Sequence, residues 1–310
     1  MWGILFAFTN VAFRAFFVGI TKTKLLGYSA LIMAIVNIVL DYLLIFGNFG
    51  FPEIGIAGAA LASVIAEGAS ALFFIIAAFS HRFNKKYHIF KLPKFNKEII
   101  IRTWNISVFI MLQNFVSVAG WFLFFLVIEQ TGERPLAISN IVRSLYMLLM
   151  IHIWSFSTSV NTLISNIIGE GKPQLVFPII SRVNKLSLMI TILVMIVSVV
   201  FSGYLIRIYT DDPALIAGAR PVLFVVTGVL LPLSISNNWF NGVSGTGNTK
   251  IALFIEIGSI VLYVAYIFIL TFALKASLPA IWTSEYVYIV TIGIFSYLYL
   301  KFGKWEGKKV

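Results

Sequence analysis

The chain has 310 residues, 60% of them hydrophobic and only 11% charged, with a mean hydropathy of +0.96. About a quarter of the residues of an ordinary soluble domain are charged, so this composition excludes that class and points to a chain dissolved in a bilayer. The net charge of +11 would suit a nucleic-acid partner if it covered a folded surface, but here it collects between apolar runs, and no nucleic-acid partner is expected.

Nine apolar runs of about 18–26 residues, the length that crosses a bilayer core of about 30 Å, lie near 3–20, 27–47, 56–79, 103–128, 138–164, 184–206, 215–240, 251–272 and 278–300. They are continuous and lack the alternation of barrel strands, so each predicts a helix. The expected fold class is an all-α polytopic membrane protein. The chain has no cysteine, hence no disulfide and no thiolate metal site.

In chain order, the first run contains Arg14 and has no basic segment before it, which argues against a cleavable signal peptide. The second carries Asn37 and Asp41, which share one helix face about 6 Å apart along the axis. A carboxylate and an amide are costly in hydrocarbon and mark either an ion site or interhelical hydrogen bonding. Glu67 lies in the third run. Residues 82–102, RFNKKYHIFKLPKFNKEIIIR, form a basic linker with interleaved aromatics. It is expected to be a cytoplasmic connection that sets orientation, with lipid or RNA binding as the alternative. It separates an N-terminal lobe at 1–81 from a C-terminal lobe at 103–301, which is followed by a tail at 302–310. In the C-terminal lobe, Gln113 and Asn114 fall mid-span, Asn140 and Arg143 early in the next run, and His152 further along it. Pro221, Gly228 and Pro232 mark a kink-prone helix. Glu256 and Glu285 lie in the last two runs.

Glu67, Gln113, Asn114, Asn140, Arg143, Glu256 and Glu285 are candidates to line a polar cavity. For Glu67 and Glu285 lobe packing is an equal alternative. Glu256 can instead reach the interface, and Arg14 and Arg143 can pair with carboxylates.

Numbering the gaps alternately puts seventeen Lys and Arg on one side and four on the other. The positive-inside rule then makes the linker and the C-terminus cytoplasmic, in a multi-pass protein of the inner (plasma) membrane. An internal repeat is also visible. FRAFFVGITKTK at 13–24 aligns with WFNGVSGTGNTK at 239–250, with Gly19, Thr23 and Lys24 falling on Gly245, Thr249 and Lys250. Glu67 aligns with Glu285 in the helices that follow. Two copies in the same orientation imply two lobes related by an axis along the membrane normal. The second copy has six helices and the first three, so about 120 residues are expected to be missing before the first.

The stretch NIVLDYLLIFGNFGFPEIGIAGAALAS at 37–63 resembles the fifth helix, outer turn and start of the sixth helix of the multidrug and toxic compound extrusion (MATE) transporters. LAISNIVRSLYMLL and STSVNTLISNIIGEGKPQ, within 136–174, resemble that family's eighth helix and its cytoplasmic exit. The Gly-x-Gly-Asn-Thr turn at 245–249 is a further match. The resemblance implies helices four to twelve of a two-lobe, six-plus-six architecture. It also implies exchange of sodium or protons for organic, often cationic, drugs by a rocking motion. The partners are then small-molecule organic cations and the lipid bilayer, with a monomeric complete protein and no cofactor beyond Na+ as coupling ion.

In many prokaryotic members the coupling cation is held by an Asp on helix one, an Asn-x-x-x-Asp pair on helix five and a hydroxyl on helix six. The resemblance carries Asn37, Asp41 and Ser63 onto the last three positions. Carboxylate, amide and hydroxyl oxygens are the hard ligands a small hard cation prefers. Acids found on helices seven and ten of other members are replaced here by the neutral Gln113, Asn114, Ser234, Ser236 and Asn237, which shifts the expected coupling site to the N-terminal lobe. The many Phe, Trp and Met side chains suit a pocket for varied flat cations, although most of the aromatics are expected to face lipid or pack between helices. No P-loop, GxSxG or HExxH occurs, so no catalysis is expected. The alternatives to drug efflux are a flippase for a lipid-linked precursor, and a fragment that does not transport.

Overall fold

The computed structural model describes residues 2–80, 83, 87–91 and 96–305. Arg82, Lys85, Lys86 and Lys94 of the expected linker, His81 beside it, and Lys308 and Lys309 of the expected tail lie outside the described residues.

Every described apolar run is helical. The helices are α1 (Trp2–Gly19), α2 (Lys24–Phe46), α3 (Gly55–Ser80), α4 (Lys97–Glu129), α5 (Glu133–Gly169), α6 (Val176–Val200), α7 (Ser202–Arg207), α8 (Pro213–Gly245), α9 (Thr249–Phe268), α10 (Leu278–Trp282) and α11 (Ser284–Phe302). Eight of the described helical segments are long and apolar enough to cross a membrane, α10 and α11 counting together, while the apolar part of α1, Gly3–Gly19, is shorter.

Local chemistry sets several of the ends. The Asn96 side chain caps α4 by accepting from the backbone N–H groups of Glu98 and Ile99. Asp212 caps α8 in the same way, with Pro213 pre-set at the first helical position. Gly47, at φ +66°, ends α2 in the left-handed region, where a Cβ would be strained. The chain then folds back so that Ile54 N–H donates to the Leu44 carbonyl at 3.0 Å.

The chain divides into two compact units, Met1–Phe95 and Asn96–Val310. In the first, α3 packs against both α1 and α2. Gly58 lets α2 approach α3, since a Cβ there would sit 2.6 Å from the Leu44 carbonyl oxygen. One end of this unit is an aromatic cluster in which Phe13 and Phe17 stack on Phe74 at 5.8 and 5.5 Å. In the second unit α8 is central and packs on α5, α6 and α11, while α9 bridges α4 and α11. Its core is built around Trp282, Tyr146, Tyr263 and Phe124, all buried, with the Trp282 indole donating to Ser139 Oγ at 3.1 Å.

The sequence places one helix at 184–206, whereas the structure starts it at Val176 and breaks it at Phe201. Arg182 and Lys185, counted among the charges between apolar runs, fall inside this helix, and Asn184 between them is buried and accepts from Asn238 at 2.8 Å. Tertiary hydrogen bonding draws this polar turn into the helix. Pro221 and Pro232 are both accommodated inside α8. Beside them, a Cβ at Gly228 would collide with the Tyr286 hydroxyl.

Candidate functional site

In the first unit, α2 and α3 bring Asn37 and Ser63 together: Asn37 Nδ2 lies 3.5 Å from Ser63 Oγ, which itself donates to the Ala59 carbonyl at 3.0 Å. Asp41 sits one turn along α2, and its Oδ1 is buried with no hydrogen-bond partner. An orphaned buried oxygen costs free energy until a donor or cation reaches it. The three side chains carry carboxylate, amide and hydroxyl oxygens, the hard donor types that a small hard cation prefers, on two neighbouring helices.

One turn further along α3, Glu67 accepts from Asn10 Nδ2 at 2.5 Å, and the same amide also donates to the Glu67 carbonyl at 2.9 Å. Ser70 Oγ donates to Asn10 Oδ1 at 3.0 Å and lies 2.6 Å from Ser29 Oγ. Glu67 thus joins a polar network that ties α1, α2 and α3 together. Sequence analysis did not single out Asn10, Ser29 or Ser70. The signal was present in the helical spacing of Ser63, Glu67 and Ser70 along one face.

The second unit holds a cavity of about 590 Å³ between α4, α5, α8, α9 and α11. Its aromatic lining comprises Trp121, Tyr146, Trp154, Phe240 and Tyr288. Trp121 and Tyr146 stack at 6.3 Å. Polar groups from Gln113, Asn114, Ser117, Ser157, Asn237 and Asn241 share the wall with Glu256 and Glu285. Five of the expected lining candidates therefore divide between this cavity (Gln113, Asn114, Glu256, Glu285) and the first unit's network (Glu67).

Asn140 and Arg143 lie on α5 outside that lining. The Asn140 carbonyl accepts from Ser144 at 3.1 Å, and the Arg143 guanidinium carbon lies 4.9 Å from the centre of the Phe125 ring. The carboxylate partners expected for Arg14 and Arg143 are not found, because Lys172–Glu170 is the one ion pair among the described residues.

Glu256 is fully buried, and one of its oxygens accepts from the Ser117 hydroxyl and, at 2.8 Å, from the Tyr288 hydroxyl. Its other oxygen has no partner, and neither does the buried amide oxygen of Gln113, one turn before Ser117 on α4. Glu285 is 3% exposed and accepts from the Tyr263 hydroxyl at 3.0 Å. Gln113 and Asn114 of α4 and Asn237 of α8 thus share one wall with carboxylates supplied by α9 and α11, while Ser234 and Ser236 lie outside that lining. A second cavity of about 760 Å³ is lined by Arg102, Asn161, Ser165 and the Gly245–Thr249 turn, with no carboxylate among its described lining residues.

Residues 110–269, just over half of the chain, match the MatE family. The chain belongs to that family. It is similar to the "Probable multidrug resistance protein NorM" of Thermotoga maritima, at 29% identity over 88% of this chain and 59% of the relative. A relative of the same description in Photorhabdus laumondii is 26% identical over 69% of this chain and 47% of its own length. The chain therefore spans less than two thirds of the length of these curated relatives. Among solved structures, the fold is that of a mutant of the Vibrio cholerae MATE transporter VcmN, with a TM-score of 0.83, 16% identity and coverage of 97% of this chain and 67% of that one. A MOP superfamily transporter from Pyrococcus furiosus gives a TM-score of 0.77 at 17% identity, over 88% of this chain and 61% of that one. The MATE transporter ClbM, solved in complex with Rb+, gives 0.78 at 16% identity, over 94% and 65%. The MatE chain is thus an all-α, multi-pass membrane protein from a family of transporters rather than enzymes.

Proposed function

We propose that the protein is a secondary active efflux transporter that exchanges Na+ or H+ for organic, often cationic, small molecules by rocker-switch alternating access. The observation that carries this proposal is the cavity of the second unit, which sets Glu256 and Glu285 among Trp121, Tyr146, Trp154 and Tyr288. Flat aromatic cations are held by stacking and cation–π contact with such rings, and a desolvated carboxylate favours a positive charge over a neutral isostere. The relatives named as multidrug resistance proteins and the Rb+ complex of ClbM support the same substrate and ion classes.

Coupling is assigned to Asn37, Asp41 and Ser63. The unpartnered Asp41 Oδ1 supports this assignment, and Na+ is the candidate ion beside the proton. The charge asymmetry supports a cytoplasmic side of the inner membrane for the basic linker and the C-terminus. The protein is proposed to work as a monomer.

The test is ethidium accumulation in inverted membrane vesicles driven by an imposed Na+ or proton gradient. Asp41→Asn should abolish gradient-driven accumulation while the protein still inserts at wild-type levels. Accumulation unchanged in that variant would remove Asp41 from the coupling role.

A further inference from the structure

Between α6 and α8 the chain turns out through the short helix α7, and a cavity of about 420 Å³ opens at this joint. Its lining includes the guanidinium-bearing Arg207, at the end of α7, and Arg220, two turns into α8, together with Asp211 from the connecting loop. Neither arginine is in an ion pair, and the Arg220 guanidinium carbon instead lies 5.6 Å from the centre of the Phe224 ring. The surroundings are apolar and open, with Ile208 74%, Tyr204 71% and Phe201 49% exposed. Exposed aromatics flanking charges at the end of a span are the composition of a membrane–water interface.

Depth narrows the ligand. The 33 residues of α8 make a helix about 50 Å long, against a hydrocarbon core of about 30 Å. A centred helix overhangs the core by about 10 Å at each end, and Arg220 lies about 10 Å from the start of α8. For a straight α8 centred in the bilayer, its charge falls where phospholipid phosphates meet the acyl chains. An exposed arginine at that depth is costly without a counter-charge, and two guanidinia present the donor geometry that a phosphate accepts. Asp211 in the same cavity favours a headgroup whose outer end carries a hydrogen-bonding cation over one whose outer end is neutral or negative.

We propose that this cavity binds the headgroup of a zwitterionic phospholipid with a primary ammonium, of the phosphatidylethanolamine type. Its phosphate lies between Arg207 and Arg220, and its ammonium is held by Asp211. A quaternary ammonium cannot donate a hydrogen bond to Asp211, so a phosphatidylcholine binds less well. The site is independent of the transport cavity and of the ion coupled to it.

The test uses the full chain, purified in detergent, stripped of lipid and offered an equimolar mixture of phosphatidylethanolamine, phosphatidylcholine and phosphatidylglycerol with identical acyl chains. Lipids retained on the protein are then counted by native mass spectrometry. The wild type should retain phosphatidylethanolamine about fivefold over the other two, the most that one well-placed exposed ion pair supplies. The R207Q/R220Q double variant should lose that enrichment, and D211N should abolish the preference over phosphatidylcholine while phosphatidylglycerol rises. Retention of the three lipids in their mixing ratio by the wild type would overturn the proposal, as would a wild-type preference for phosphatidylglycerol. The wild-type measurement stands even if a variant fails to fold.

Discussion

Replacing Glu256 by Gln removes one charge from the cavity and almost no volume. Gln keeps an acceptor for the Ser117 and Tyr288 hydroxyls, so the packing of α4, α9 and α11 should survive. What is lost is the attraction of a fully buried carboxylate, one oxygen of which is unpartnered, for a bound cation. Hydrogen bonds to charged groups contribute about 1.5–3 kcal/mol, which converts to about 10- to 150-fold in affinity. Glu285, on the same cavity, partly compensates, so the lower half of that range is expected. The assay is fluorescence polarisation of ethidium on purified protein, with a neutral aromatic of similar size as control. E256Q should weaken ethidium binding by about tenfold or more and leave the neutral compound unchanged. Equal loss for both compounds would mean a collapsed cavity. Unchanged ethidium affinity in a folded variant would refute the assignment of the cavity as a cation pocket.

Three further outcomes follow from the geometry. Asn10→Ala strands the Glu67 carboxylate and should destabilise the protein by about 1–3 kcal/mol; the thermal unfolding midpoint in detergent reads this. The N10A/E67Q double variant should lose less than the two single variants added together, because the residues share one hydrogen bond. Gly58→Ala drives a Cβ into the Leu44 carbonyl and should cost about 1–3 kcal/mol in the same assay, with α2 and α3 forced apart.

Hydrophobic length and continuity were enough to place the helices, because a bilayer requires spans of about 20 apolar residues whatever the tertiary packing. The start of α6, eight residues before the expected run, was not legible, because Ser181, Arg182, Asn184 and Lys185 interrupt the apolar continuity by which spans are read. The pairing of Asn37 with Ser63 could be anticipated from the resemblance of 37–63 to a known helix pair, and Asp41 from its cost in hydrocarbon. The C-terminal cavity was only half legible. Gln113, Asn114 and Asn237 read as a loss of acids, while Glu256 read as a cavity residue or one that reaches the interface, and Glu285 equally as cavity lining or lobe packing. Only the packing of α4 and α8 against α9 and α11 puts the neutral and acidic side chains on one wall. The absence of carboxylates beside Arg143 was likewise invisible, since a cation–π contact with Phe125 on a neighbouring helix leaves no sequence spacing to read.

Antiport requires that the coupling cation and the drug oppose each other, and thermodynamic linkage makes that opposition reciprocal. The most direct measurement is the ethidium dissociation constant of the purified protein across a titration of Na+ at fixed pH, and across pH at fixed Na+. The account predicts that ethidium binding weakens as one of these ions rises, and that Asp41→Asn flattens the dependence. Ethidium affinity independent of both Na+ and pH in the wild type would contradict exchange transport.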